Sequence, residues 1–255
     1  NYSITDQATA SANVSTKAIS ISGITASNKT YDANTDAVLD VSGAAGWIAG
    51  DVVTVASTGT FDTKDVGTGK TVNLSATSYG GVDNTNYSIT DQATASANVS
   101  TKAISISGIT AGDKTYDANK VAVTDVTGAG GWIAGDVVTV ASTGTFDTKD
   151  VGTGKTVALS TTYGGADNTN YSITDQATAS ADVSTKAISI SGITAGDKTY
   201  DANTDAALDV SSAAGWIAGD VVTVASTGTF DTKHVGTGKT VNLSATSYGG
   251  ADNTN

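Results

Sequence analysis

The stretch Asp32-Ala33-Asn34-Thr35-Asp36 places side-chain oxygens at alternate positions one, three and five, the spacing with which a short loop wraps a calcium ion. It recurs with the same donors at Asp201, Asn203 and Asp205, whereas the intervening copy has Val121 at the fifth position. Glycine at position six and the bidentate glutamate at position twelve are missing, and the chain contains no glutamate at all. Calcium is therefore the one cofactor the residues leave room for. It would bind weakly at a metal site built from Asp32, Asn34, Asp36, Asp201, Asn203 and Asp205, with Gly50-Asp51 and Asp83-Asn84 as further oxygen donors. Capping of a turn by Asp and Asn is the competing reading.

Other chemistry has little material. Gly67-Thr68-Gly69-Lys70-Thr71 ends like a phosphate-binding loop, but the first glycine of that signature falls on Lys64. The following residues alternate like a strand and open no helix, so the cradle of helical N–H groups would be lacking. His234 is the only histidine and replaces Asp65 and Asp150 of the other copies, as a solvated surface residue would. With no Cys, no Glu and one His for three modules, the acid, base and nucleophile pairings of hydrolases have almost no material, and no catalytic residue is expected. A Lys-to-Asp or Lys-to-Asn crosslink would need a buried acid beside the pair, which sequence cannot locate. Tyr and Trp beside Gly-rich corners could line a glycan platform, with core packing as the alternative.

Repetition sets the organisation. Asn1-Tyr2-Ser3-Ile4-Thr5-Asp6 restarts at Asn86 and at Asn170, with periods of 85 and 84 residues. The shorter period reflects Ser160-Thr161-Thr162-Tyr163 in place of Ser75-Ala76-Thr77-Ser78-Tyr79, a deletion expected in a loop. The stretch Lys29 to Asn34 returns as Lys114 to Asn119 and Lys198 to Asn203 and serves as register mark. Counting from Lys17, modules span 17–101, 102–185 and 186–255; residues 1–16 belong to a preceding module as its closing segment, and the third module lacks its last strand segment.

A net charge of −12 over 255 residues, all from Asp and Lys, argues against nucleic acid and anionic membrane surfaces as partners. No apolar run reaches the 18 residues of a membrane span. Within a module, Ala18 to Ile24 and Lys70 to Ser75 alternate apolar with polar residues, the period of half-buried strands, and Ala37 to Val41, Val52 to Val55 and Thr60-Phe61-Asp62 read as further extended segments. Breaks are expected at Ser57-Thr58-Gly59 and a turn at Gly67-Thr68-Gly69, and Trp47 should plug an end of the core. A domain of this size buries roughly 60 to 65% of its chain surface. The fold class that follows is all-β: a tandem array of β-sandwich-like modules, with β-grasp-like modules as the alternative.

The ordered blocks Ile19 to Thr25, Lys29-Thr30-Tyr31-Asp32, Ala49-Gly50-Asp51, Gly59-Thr60-Phe61, Lys64 to Lys70 and Asn86-Tyr87 resemble the YDG-type tandem repeat of large secreted bacterial surface proteins, among them filamentous-haemagglutinin-like adhesins. The resemblance covers the chain three times over. It implies an extracellular, cell-surface, structural role as spacer or stalk, filament or biofilm matrix, and implies no catalytic residues. The third letter of the family name stands for glycine, where this chain has Ala33, Ala118 and Ala202. Because Ala disfavours positive φ, the turn is expected either to use an ordinary conformation or to place Asn34 in the left-handed one.

Partners expected are neighbouring modules, glycans, and a second copy. Asn1 to Thr16, with Tyr2, Ile4 and Val14 as its apolar residues, would complete the third module of another chain by strand addition; the competing reading is a window on a longer repeat. A binding-module reading, each domain gripping a glycan or a calcium ion, is the functional alternative to the spacer.

Overall fold

The computed structural model describes residues 1–255 and is all-β. Its only helical elements are two three-residue 3-10 turns, Asn84–Asn86 and Asn168–Asn170, so no helix packs across a sheet as a β-grasp module requires. No helix is long and apolar enough to cross a membrane. The chain forms two compact units, which do not follow the repeats. One comprises Asn1–Ser105, Gly131–Thr139 and Tyr163–Thr174; the other comprises Ile106–Gly130, Val140–Thr162 and Asp175–Asn255.

In the first unit, repeat 1 runs through β1 (Lys17–Ser20), β2 (Thr25–Ala26), β3 (Lys29–Thr30), β4 (Asp36–Ala37), β5 (Leu39–Asp40), β6 (Thr54–Phe61), β7 (Gly67–Gly80), β8 (Tyr87–Thr90) and β9 (Thr94–Ser100). Five of these make one sheet in the order β3-β9-β7-β6-β4. β9 is parallel to β3 and antiparallel to β7. Separately, β1 pairs in parallel with β8, Ile19 opposite Ile89, and β2 pairs antiparallel with β5. Ile19, Ile21, Ile24 and Tyr87 are buried against Trp47, Val53, Val55, Leu74, Tyr79 and Ile89, so the small parallel pair covers one half of the β6–β7 hairpin and Trp47 closes that core.

Period-2 burial runs without interruption along β6, so Ser57-Thr58-Gly59 is no break. Gly59 belongs inside the strand because a Cβ there would lie 2.7 Å from Leu39 Cδ2 and 3.0 Å from Val72 Cγ1. The Gly67 to Gly69 turn is likewise absorbed into β7 as a register irregularity before Lys70, with Gly69 at φ 59° and its N–H donated to Asn98 Oδ1. The one-residue difference between repeats falls in this strand too, not in a loop. Ala76, at φ 49°, is the extra residue of a bulge opposite Ser57, and the corresponding strand Gly152–Gly164 is one residue shorter. Removing a bulge residue leaves the flanking ladder in register, which is why a strand tolerates the loss.

The second unit holds the sheet of repeat 2 in the same five-strand order, closed over Tyr116, Ala122, Phe146, Val157, Ala181 and Val183. It also holds repeat 3, whose sheet has three strands, Asp205–Ala206, Thr223–Phe230 and Val241–Gly249. Residues 186–255 contain no counterpart of β8 and β9. Lys198-Thr199 consequently forms no strand, and no apolar side chain of this repeat is fully buried.

Candidate functional site

The Lys-Thr-Tyr-Asp-Ala-Asn stretch acts in two directions. Inside the repeat, β3 ends at Thr30 and the chain reverses, with Ala33 itself in the left-handed region at φ 65°; Ala118 and Ala202 adopt 62° and 67°. The expectation that alanine would be spared this conformation is overturned. Two Asx contacts hold the turn, Asn34 N–H to Asp32 Oδ1 and Asp36 N–H to Asn34 Oδ1, and these outweigh the cost of a Cβ at positive φ.

The oxygens of the turn do converge on a cation, and that cation is Lys29. Its ammonium donates to Asn34 O (3.0 Å), Asn34 Oδ1 (2.9 Å) and Asp36 O (3.1 Å), and pairs with Asp32 Oδ1 at 2.7 Å. The Phe61 ring centroid lies 5.5 Å away. Lys114 sits in the same way among Asp117, Asn119 and the Val121 carbonyl, and Lys198 among Asp201, Asn203 and the Asp205 carbonyl. The fifth position contributes its main chain, so Asp36, Val121 and Asp205 serve equally well and their side chains are free to differ. Burial pushes the Asp32 carboxyl up, but Lys29 and the Asn34 N–H hold it below its ordinary value of 3.8. The structure contains no group of three or more His, Cys, Asp or Glu side chains that could hold a metal ion. Calorimetric titration of the intact chain with calcium is expected to give no saturable heat from these turns. Lys29→Met is expected to cost about 1 kcal/mol, read from chemical denaturation, because it leaves the turn carbonyls without their donor.

Outward, the same stretch builds a joint. Tyr31 is buried at 1% exposure, and its hydroxyl donates to Asp136 Oδ2 of repeat 2 at 2.8 Å. Lys64, on the turn after β6, lies 2.7 Å from both Asp136 Oδ1 and Asp167 Oδ1. Tyr171 also donates to Asp136 Oδ2, at 2.5 Å, and its ring meets that of Tyr31 edge-on at 5.5 Å. Asn170 completes the seal, accepting from Val66 N–H (2.9 Å) and donating to Asp65 Oδ1 (3.0 Å). All of these residues lie in the first unit.

The two acids are placed by backbone. The Trp132 to Asp136 corner closes through Asp136 N–H to Ile133 O, with Gly135 at φ 98°. The loop bearing Asp167 is pinned to it by Asp167 N–H to Val137 O and Val137 N–H to Asp167 Oδ2. Gly165 allows this approach, since a Cβ there would lie 2.3 Å from Val137 O. Within the second unit the arrangement is repeated: Lys149 lies 2.7 Å from both Asp220 and Asp252, Tyr116 donates to Asp220 at 2.7 Å, and Val151 N–H donates to Asn255 Oδ1.

Protonation follows from this geometry. Asp136 and Asp167 hold the Lys64 ammonium well above the usual lysine range. Burial pushes Asp136 up, but hydrogen bonds from Lys64, Tyr171 and Tyr31 bring it below 3.8, and Lys64 with the Val137 N–H does the same for Asp167. Burial, then the Asp136 carboxylate, pushes the Tyr171 phenol up to about 12. The buried acid that a Lys-to-Asp crosslink needs is thus present. Amide formation, however, requires a neutral amine and a protonated carboxyl, the opposite of what this site stabilises.

The depressed carboxylates stabilise the fold above 3.8, and that contribution disappears as pH falls through their lower folded values. The raised lysines contribute fully below 10.5 and lose their effect only as pH rises through higher folded values. Melting temperature followed against pH is therefore expected to be flat from about pH 5 to 10 and to drop steeply below about pH 4; a decline beginning near pH 6 would contradict the assignment.

Of the residues singled out in sequence, Asp32 and Asn34 meet at one cation while Asp36 gives only its carbonyl. The Gly-Asp and Asp-Asn pairs do supply oxygens to a cation, at the positions of Asp136 and Asp167, but across a repeat boundary. Lys64 was missed, because its partners stand 72 residues or more away; the signal available was its recurrence as Lys149 and Lys233 beside a recurring acidic corner. Neither a curated protein nor a solved structure matches the chain. The YDG domain matches three times in tandem, over residues 15–96, 100–180 and 184–255. The chain therefore belongs to the YDG domain family, as three consecutive copies of that domain.

Proposed function

We propose that this chain is a structural, non-enzymatic spacer of an extracellular bacterial surface protein, holding an adhesive part away from the cell or building a filament or matrix. The observation that carries this reading is the joint: in each unit a lysine with two largely buried carboxylates seals one repeat to the next, Lys64 with Asp136 and Asp167 and Lys149 with Asp220 and Asp252. A hinged array of binding domains has no use for an ion triad with buried carboxylates at each boundary, whereas a spacer that transmits position needs its boundaries stiff. Acidity in a chain without cysteine suits a long secreted polymer, which stays soluble by self-repulsion.

The test is protease shaving of intact cells that produce the protein, followed by detection of the repeats in the released fraction and immunogold labelling of unbroken cells. Release and surface labelling support the reading. Confinement of the repeats to the cytoplasmic fraction would sink it.

A further inference from the structure

The first and last strands of repeat 1 lie side by side and point the same way. β1 is parallel to β8, with Lys17 opposite Tyr87 and Ser20 opposite Thr90, and β3 is parallel to β9, with Lys29 opposite Val99 and Thr30 opposite Ser100. One register, with partners 70 residues apart, runs through both pairs and through Asn28 with Asn98, whose N–H donates to Asn28 Oδ1 at 2.7 Å. Between the pairs the Gln92 side chain grips one peptide from both sides, accepting Ile24 N–H at 3.0 Å and donating to Ile24 O at 2.7 Å. Ile21 N–H donates to Thr90 O and Tyr31 N–H to Ser100 O. Residues 17–31 and 87–100 are thus two parallel arms stitched from end to end.

Repeat 2 keeps every stitch. Lys102–Ser105 is parallel to Tyr171–Thr174, and Lys114–Thr115 is parallel to Val183 and Ser184. Gln176, the only glutamine of its repeat as Gln92 is of repeat 1, holds the Ile109 peptide at the same 3.0 and 2.7 Å. Where Asn28 and Asn98 have become Asp113 and Asp182, the bond between them survives, because it uses only a side-chain oxygen and a backbone N–H. The residue missing from repeat 2 is lost outside both arms, from the strand Gly152–Gly164.

We propose that each complete repeat is a force-bearing clamp, in which tension along the chain is carried by the two parallel arms in shear. The chain enters repeat 1 at the N-terminal end of the first arm, Lys17, and leaves at the C-terminal end of the second, Ser100, one residue before Lys102 opens the next first arm. Because the arms are parallel, these two points lie at opposite ends of the stitched pair. Pulling them apart slides the arms past one another along their own length, so the stitches bear the load together. Antiparallel arms would place entry and exit at one end and open bond by bond. The stitches also bridge residues 32–85, which carry no load until the arms part. Slippage has to tear the joint as well, since Tyr31, the last residue of the first arm, holds Asp136 beyond Thr101. A spacer has only to set a distance, and arms arranged in this way keep that distance under load.

The experiment is force-clamp optical tweezers on the 255-residue chain, whose lack of cysteine lets a pair of handles be placed at will. Thr16→Cys with Thr101→Cys pulls repeat 1 in shear; Thr16→Cys with Thr85→Cys pulls β1 and β8 apart from their shared N-terminal end and peels them. All three threonines are exposed, and urea denaturation without load checks that the two double variants are equally stable. At equal force the sheared variant is expected to unfold at least about tenfold more slowly, a barrier difference of about 1.4 kcal/mol, because forced unfolding reports the unfolding rate. It should release the stretch between its handles in one step. Gln92→Ala, which removes a stitch midway between the ends, is expected to speed unfolding in shear about tenfold. Equal rates in the two directions, release of a shorter segment ahead of the arms, or a shear rate unmoved by Gln92→Ala overturns the proposal. The rates do not depend on where the protein resides, so the clamp stands or falls separately from the spacer reading.

Discussion

Replacing Lys64 by methionine is expected to destabilise the first unit by about 3 kcal/mol. Methionine preserves the apolar stem and removes only the ammonium. What remains is Asp136, 2% exposed at its side chain, and Asp167, 10% exposed, two carboxylates facing each other without a counter-charge. The hydroxyls of Tyr31 and Tyr171 still reach Asp136 but cannot neutralise it. Breaking such a pair from one side costs more than its net worth, because the charge left behind has lost both water and partner. The control follows from the same physics: adding Asp136→Asn and Asp167→Asn to Lys64→Met should recover most of the loss, since removing all three charges removes the uncompensated burial. Urea denaturation reads both variants. A loss for Lys64→Met below about 0.5 kcal/mol would rank the triad with surface ion pairs that contribute little.

Substituting Ala33, Ala118 and Ala202 together by glycine is expected to raise stability, by about 0.5 to 1 kcal/mol per repeat and about 2 kcal/mol in all. Each alanine sits at φ between 62° and 67°, where its Cβ crowds the following carbonyl. Glycine removes that penalty, which is of order 1 to 2 kcal/mol, and gives back part of it, about 0.4 to 1 kcal/mol, as extra freedom of the unfolded chain. The sign is therefore positive at all three sites, and the increments should add because the sites share no contacts. The opposite substitution is informative at Gly69, whose φ of 59° is also left-handed and where a Cβ would meet nothing within 4 Å. Gly69→Ala should cost about 1 kcal/mol by backbone strain alone. If the triple glycine variant melts below the parent, the Asx contacts of Asp32 and Asn34 depend on the stiffness of alanine, and the strain account is wrong.

Much of the fold was legible in the residues because the forces that set it are local. Alternation placed β1 and the middle of β7, since period-2 burial is a property of each strand alone. The failures share a cause. Ser57-Thr58-Gly59 and Gly67-Thr68-Gly69 carry the residues of turns, yet the first is held extended by pairing of Thr58 with Ser75 and Gly59 with Leu74 across the hairpin, and the second by β9, contacts that no local window contains. At the Lys29 turn the convergence of oxygens on a cation was legible, and the identity of the cation was not. Lys29 precedes the turn by a few residues, and only the reversal at Ala33 brings its ammonium back onto Asn34 and Asp36.

By itself, then, the sequence determined an acidic, all-β chain built from three repeats with a common turn, because repetition, charge and alternation are written residue by residue. Tertiary structure alone decided that the recurring tyrosine and lysine, Tyr31 with Lys64 and Tyr116 with Lys149, face outward to the next repeat. Tyr31 and Asp136 are 105 residues apart and Lys64 and Asp136 are 72 apart, and two such groups attract only once folding has removed the water between them.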